Sequence, residues 1–144
     1  MPAQNYANHR RYVPMYHFVT FSLILVTLIG SCVNLVASWG NHQRIYSASL
    51  LVVVCLILLL LYVFVRTFAL KAQDRAIRAE ENLRHFVLTG SLLDPRLSIR
   101  QVIGLRFAAD EEFVSLSRRA AEENLSEEEI KRAITTWRPD TYRV

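Results

Sequence analysis

At 144 residues and 52% hydrophobic content, the chain has room for about one domain, and its formal charge of +4 would invite a nucleic-acid partner if the basic residues clustered on a soluble fold. They do not: all 13 acidic residues lie at or beyond Asp74, and of the 17 Lys/Arg all but Arg10, Arg11 and Arg44 share residues 66–144 with them. The surplus therefore borders the apolar segments, where lipid headgroups are the expected partner and nucleic acid is not.

In chain order, residues 1–14 form an N-terminal segment in which Gln4, Asn5, Tyr6, Ala7, Asn8, His9, Arg10, Arg11 and Tyr12 combine tyrosine, amide and basic groups. That composition suits a headgroup layer. It suits equally a hydrogen-bonded cap on cytoplasmic helices. Residues 15–37 (MYHFVTFSLILVTLIGSCVNLVA) would rise roughly 34 Å as a helix, enough to cross a hydrocarbon core of about 30 Å. Within them Ile29, Gly30, Ser31 and Cys32 resemble the box before a lipid-modified cysteine, which would make residues 1–31 a cleaved signal. The long preceding segment and the apolar continuation through Val33 to Ala37 favour a retained first transmembrane helix.

Residues 38–46 offer Gly-Asn turn chemistry between Trp39 and Tyr46, two aromatics of the kind that settle at headgroups, and form a short extracytoplasmic loop. Residues 47–65 are the second transmembrane helix: Leu50 to Val65 is unbroken apolar sequence. Basic residues crowd the outer ends of both spans, Arg10 and Arg11 before the first and Arg66, Lys71, Arg75, Arg78 and Arg84 after the second, against Arg44 alone in the loop. Both termini are therefore expected in the cytoplasm. Thr27, Gly30, Ser31, Asn34 and Ser38 give the first span a small, weakly polar face that should meet protein, either the second span or a partner subunit or another copy. Neither span contains Asp, Glu, Lys or Arg, which argues against a transporter or channel acting alone.

Beyond the membrane, Val65, Ala69, Ala72, Ala76, Ala79, Leu83 and Phe86 continue a four-three spacing that predicts a helical stalk over residues 66–90, stopping near Gly90. Its alanine seam could approach a second helix closely, in a self-associating bundle or against later helices of the same chain. After the Asp94-Pro95 break, residues 91–144 are predicted to form a small helical domain of three short helices. Ser98 with Gln101 boxes a helix to about Phe107, Asp110 caps a second to about Glu123, and Ser126 with Glu129 boxes a third ending near Trp137. Its apolar set is small: Ile99, Val102, Ile103, Leu105, Phe107, Phe113, Val114, Leu116, Leu125, Ile130, Ile134 and Trp137. A unit of this size rarely supplies more than about 3–5 kcal/mol from its own core, so it should lean on the stalk, the membrane surface or a partner.

The four histidines, His9, His17, His42 and His85, match no compact metal-ligand spacing, and no phosphate-binding loop or nucleophile motif is present, so no metal, cofactor, small-molecule substrate or enzyme activity is expected. Cys32 and Cys55 sit in apolar runs and read as small hydrophobes.

The residues 4–12 start, the two spans, the Leu105-Arg106-Phe107-Ala108-Ala109-Asp110-Glu111-Glu112 segment and the ending through Ile130-Lys131-Arg132, Trp137-Arg138-Pro139-Asp140 and Arg143-Val144 together resemble a family of small bacterial two-span membrane proteins catalogued as a domain of unknown function. The resemblance spans essentially the whole chain and implies the bacterial inner membrane, with no activity or ligand to carry over. Arg106, Asp110, Trp137, Arg138, Asp140 and Arg143 are the candidate contact residues in these segments.

The expectation is thus an all-α membrane protein, a two-transmembrane hairpin whose long second helix extends into a small cytoplasmic helical domain. It should serve as an accessory or scaffold subunit of a membrane complex, or as a homo-oligomer. The rival readings are a lipid-organising surface protein and a metal-dependent enzyme or sensor using His9, His17 and His85.

Overall fold

The computed structural model describes residues 5–8 and 12–140. Gln4, His9, Arg10, Arg11 and Arg143, singled out above, lie outside the described residues. A π-helical turn, Met15–Thr20, leads into α1 (Phe21–Ala37); α2 (His42–Thr89), α3 (Ile99–Leu105), α4 (Asp110–Glu122) and α5 (Glu127–Ala133) follow, with no strand among the described residues. The chain divides into two units, residues 11–69 and residues 70–144 together with residues 1–10.

In the first unit, Met15–Ala37 and the apolar part of α2 reach mean hydropathies of 2.2 and 3.2 over windows of which only 6% and 11% is buried. The core helix of a soluble protein would hide such side chains from water; these helices expose them. The least exposed positions of the first helix recur at 24, 28, 31, 35 and 38, and those of the stretch of α2 up to Val65 at 45, 48, 49, 52, 55, 59 and 62. Each set keeps the spacing of a single helix face, and its small members Ser31, Ser38, Ala48 and Cys55 are the most covered.

Tyr16 and Tyr62 join the two helices. The Tyr16 hydroxyl donates to the Tyr62 carbonyl, the Tyr62 hydroxyl donates to the Tyr16 carbonyl at 3.3 Å, and the rings stack 4.4 Å apart. Tyr16 lies in the π-helical turn, whose wider winding is echoed where the Thr20 hydroxyl donates to the Met15 carbonyl five residues back, at 2.9 Å. At the far end Gly40 adopts a φ of +85°, and the Asn41 side chain accepts from the Gln43 and Arg44 amides at 3.1 and 3.3 Å. Asn41 is therefore an N-cap, and α2 begins at His42 rather than at Ser47: the turn residue itself satisfies the first helical N–H groups.

α2 is 48 residues long. The helix stops where Gly90, at φ +76°, donates its amide to the Phe86 carbonyl at 2.8 Å.

In the second unit, Phe107, Phe113, Leu97, Leu105, Ile130 and Val102 are the largest fully buried side chains. Both capping boxes form, Ser98 with Gln101 before α3 and Ser126 with Glu129 before α5. Asn124, at φ 51°, lets α4 close with the Leu125 amide bonding the Ala120 carbonyl at 3.2 Å, the wide closure that a left-handed residue past a helix end permits. α3 and α5 approach so closely that a Cβ on Gly104 would meet the Glu127 carbonyl and Ile130 at 3.2 Å.

Three local expectations need correction. Asp110 is not the cap of α4: Ala109 holds that position without a side-chain bond, because the Asp110 carboxylate is drawn to Arg84. α3 ends at Leu105 rather than near Phe107, and α5 ends at Ala133 rather than near Trp137. The cause lies in the residues that follow each helix. Ala108 and Trp137 form an antiparallel bridge, with Arg138 N–H donating to the Phe107 carbonyl at 2.7 Å and Ala109 N–H to the Thr136 carbonyl at 3.1 Å. Those backbone groups cannot serve a bridge and continue a helix as well.

Candidate interaction surfaces

The five small positions of the first span are not covered alike within the chain. Ser31 and Ser38 fall in the covered stripe, whereas Thr27, Gly30 and Asn34 are exposed. The Thr27 and Ser31 hydroxyls donate within their own helix, to the Leu23 and Leu28 carbonyls at 2.7 and 2.8 Å, which satisfies them without a neighbour.

The C-terminal unit is assembled around charged side chains that α2 sends into it. Glu81, 5% exposed, accepts from Arg84 Nη1 at 3.0 Å, and the Arg138 guanidinium comes within 4.0 Å of it. Arg84 also reaches Asp110 and donates from Nη2 to the Ala108 carbonyl at 2.7 Å, with its guanidinium 4.2 Å from the Phe113 ring. Arg78 donates to the Leu97 carbonyl at 2.9 Å, and the Asn82 side chain accepts from the Leu93 amide at 3.3 Å. Opposite these, buried Gln101 accepts from Ser98 N–H and donates to the Ala120 and Leu125 carbonyls, tying α3 to the end of α4.

The described candidate contact residues all make contacts within the chain. Arg106, 8% exposed, pairs with Asp140 at 3.0 Å and lies 4.6 Å from the centre of the Phe107 ring. Trp137 packs on Phe107 at 5.1 Å, Asp110 holds Arg84, and Arg138 serves the bridge. The N-terminal segment belongs to the same unit: the Tyr6 hydroxyl accepts from Arg132 Nη2 and Nε at 3.3 and 3.4 Å, beneath a guanidinium 5.4 Å from its ring.

Glu112 binds α4 to the segment after α5. It accepts from Thr135 N–H and Oγ1 at 3.1 and 2.7 Å and from Thr136 N–H at 3.0 Å. Burial pushes its carboxyl up, but those hydrogen bonds outweigh burial and hold it below the ordinary glutamate value. It borders a shallow groove of about 160 Å³ with Ser115, Leu116, Arg119 and Ala133. His17 Nδ1 lies 3.0 Å from the Val13 carbonyl and His85 Nδ1 2.7 Å from the Ser91 carbonyl. No three His, Cys, Asp or Glu converge as a metal-ligand set among the described residues.

Of the stalk seam, Ala69 is half-buried, and Ala72, Ala76, Ala79, Leu83 and Phe86 are all exposed. The C-terminal helices instead cover the side of α2 that carries Ile77, Glu81 and Arg84. Sequence reasoning missed Glu81, Arg84 and Gln101 as organising residues. For Glu81 and Arg84 the signal was a second helical stripe at 77, 81 and 84, partly charged and so passed over beside the alanine one, while Gln101 had been read only as half of a capping box.

These features define an all-helical protein with two helices long and apolar enough to cross a membrane and a separately cored C-terminal unit. The model of the family described as "Family of unknown function (DUF6526)" matches residues 1–144, and the chain belongs to that family. No curated protein and no solved structure matches it.

Proposed function

We propose that this chain is a non-enzymatic integral membrane protein of the bacterial inner membrane, a two-span hairpin with both termini in the cytoplasm. In this reading it serves as an accessory or scaffold subunit of a membrane complex, or as a homo-oligomer. The observation that carries the reading is apolar surface left uncovered in both units. The two long helices expose most of their side chains, as lipid-facing helices do. In the C-terminal unit, which has its own core, Leu83, Phe86 and Val87 are still 64%, 51% and 75% exposed. Lipid accounts for the first surface, and a protein partner accounts for the second.

The contact between Tyr6 and Arg132 supports the topology, because a segment before the first span and a helix after the second can meet only on one side of a bilayer. The basic residues that follow the second span support the cytoplasm as that side. The test is purification of the full-length protein from its native membrane in mild detergent, with the particle mass measured and co-purifying chains identified. A particle holding several copies or a second chain is expected. A stable lone monomer would overturn the proposal.

A further inference from the structure

Building on the scaffold reading, we propose that the exposed seam of α2 between Ala72 and Phe86 is a homodimer interface. In it, two copies pair as a parallel, in-register coiled coil locked by Arg75 of each copy on Glu80 of the other. Three observations converge on a second copy as the occupant.

The first is position. Ala72, Ala76, Ala79, Leu83 and Phe86 fall at alternating d and a positions of a heptad, whereas Ile77, Glu81 and Arg84, which hold the C-terminal helices, fall at b and f. These are opposite sides of the helix, so the chain's own later helices leave the seam open. A partner can reach it without displacing them.

The second is charge. Positions flanking a seam meet the partner helix, a g residue facing the e residue of the next heptad in a parallel pair. Between Ala72 and Phe86 the flanking residues are Gln73, Arg75, Glu80 and Asn82, so Arg75 at g and Glu80 at e are the charged ones, separated by the five residues that this geometry requires. Twofold symmetry makes the pair twice. An antiparallel pairing would instead set g against g and e against e, opposing arginine to arginine and glutamate to glutamate. Both side chains are exposed and neither ion-pairs with another described residue.

The third is orientation. Copies inserted the same way in one membrane present their α2 helices parallel, the arrangement the charges select. Confinement to the bilayer also raises the effective concentration of a seam only two heptads long. Alanines at its core let the helices come close, while Leu83 and Phe86 provide the apolar burial.

The experiment uses the full-length protein in native membranes, with Cys32 and Cys55 replaced by alanine. Ala79→Cys is compared with Lys71→Cys, an exposed position outside the seam, under mild oxidation. A covalent dimer is expected through position 79 and not through 71. Adding Arg75→Glu or Glu80→Arg to Ala79→Cys should lower its yield several-fold, and the double exchange should restore it. Equal cross-linking at 79 and 71, none at either, or a double exchange that fails to restore the yield would overturn the inference. The particle mass separates this inference from the reading beneath it. One copy bound to a different chain overturns self-pairing and leaves the scaffold reading standing, whereas a lone monomer overturns both.

Discussion

The two units bury side chains for different ends. Residues 12–69 cover one narrow stripe on each helix and leave the rest largely apolar and exposed, on two helices long and apolar enough to cross a membrane. Residues 70–144 follow the rule for water, hiding Phe107, Phe113 and Ile130 among short capped helices and turning charges outward. Arg106 and Lys131 break that rule, and so do two residues of α2: Glu81 and Arg84 are directed inward, where they organise what packs on them. Context thus decides what a helix face means. In the first unit the small Thr27 and Ser31 hydroxyls bond their own helix backbone, while in the C-terminal unit a buried carboxylate is met by a cation from a neighbouring turn.

Substitutions should separate the units sharply. Phe107→Ala is expected to cost about 3–5 kcal/mol by opening a cavity between α3, α5 and Trp137. Hydrogen exchange on the full-length protein should then quicken over residues 97–137 and stay slow over residues 21–65; quickening in both would mean that the units unfold together. Arg84→Ala should cost about 3 kcal/mol, because it strands buried Glu81 and frees Asp110 and the Ala108 carbonyl. The double change Glu81→Gln with Arg84→Ala should recover part of that loss in thermal unfolding. Ser126→Ala removes one half of a capping box and should cost about 1 kcal/mol, read most directly as faster exchange in α5.

Acid should act on the C-terminal unit through Glu112. Its folded pKa lies below its unfolded value, so its stabilisation is complete above an ordinary glutamate pKa of about 4.3 and is lost as pH falls through the folded value. Glu112→Gln should flatten the fall of the melting temperature on acidification in that window; an unchanged slope would assign the effect to other carboxylates. The smallest effect is expected in the spans. Thr27→Val should leave stability within about 0.5 kcal/mol, since its hydroxyl bonds its own helix. A larger loss would mean that Thr27 meets a partner.

Much of the architecture was legible one residue at a time. The two long apolar helices declared themselves through composition, because apolar runs of that length have few other uses. Both capping boxes were readable, since the motif is local and three residues apart. Of the apolar residues expected to be buried, Val102, Leu105, Phe107, Phe113, Leu116, Ile130 and Ile134 are core, with Ile103, Val114, Leu125 and Trp137 packed against them. Ile77, Leu93, Leu97, Ala108 and Ala120 also enter that core and were not foreseen, because three of them lie in loops or bridges and Ile77 lies on the stalk.

What the sequence by itself determined was whatever depends on neighbours along the chain: hydrophobic length, heptad spacing, caps and the distribution of charge. Tertiary structure alone decided which side of α2 the later helices would take. Both of its stripes keep helical spacing, and the choice went to Ile77, Glu81 and Arg84 because the chain returns there with Asp110, the Ala108 carbonyl and the Phe113 ring to meet them. It decided likewise that Asp110 would serve Arg84 rather than cap α4, and that the residues after α3 and α5 would pair as a bridge. Each of these is a competition between a local partner and a distant one, and spacing along a chain cannot record the distant partner.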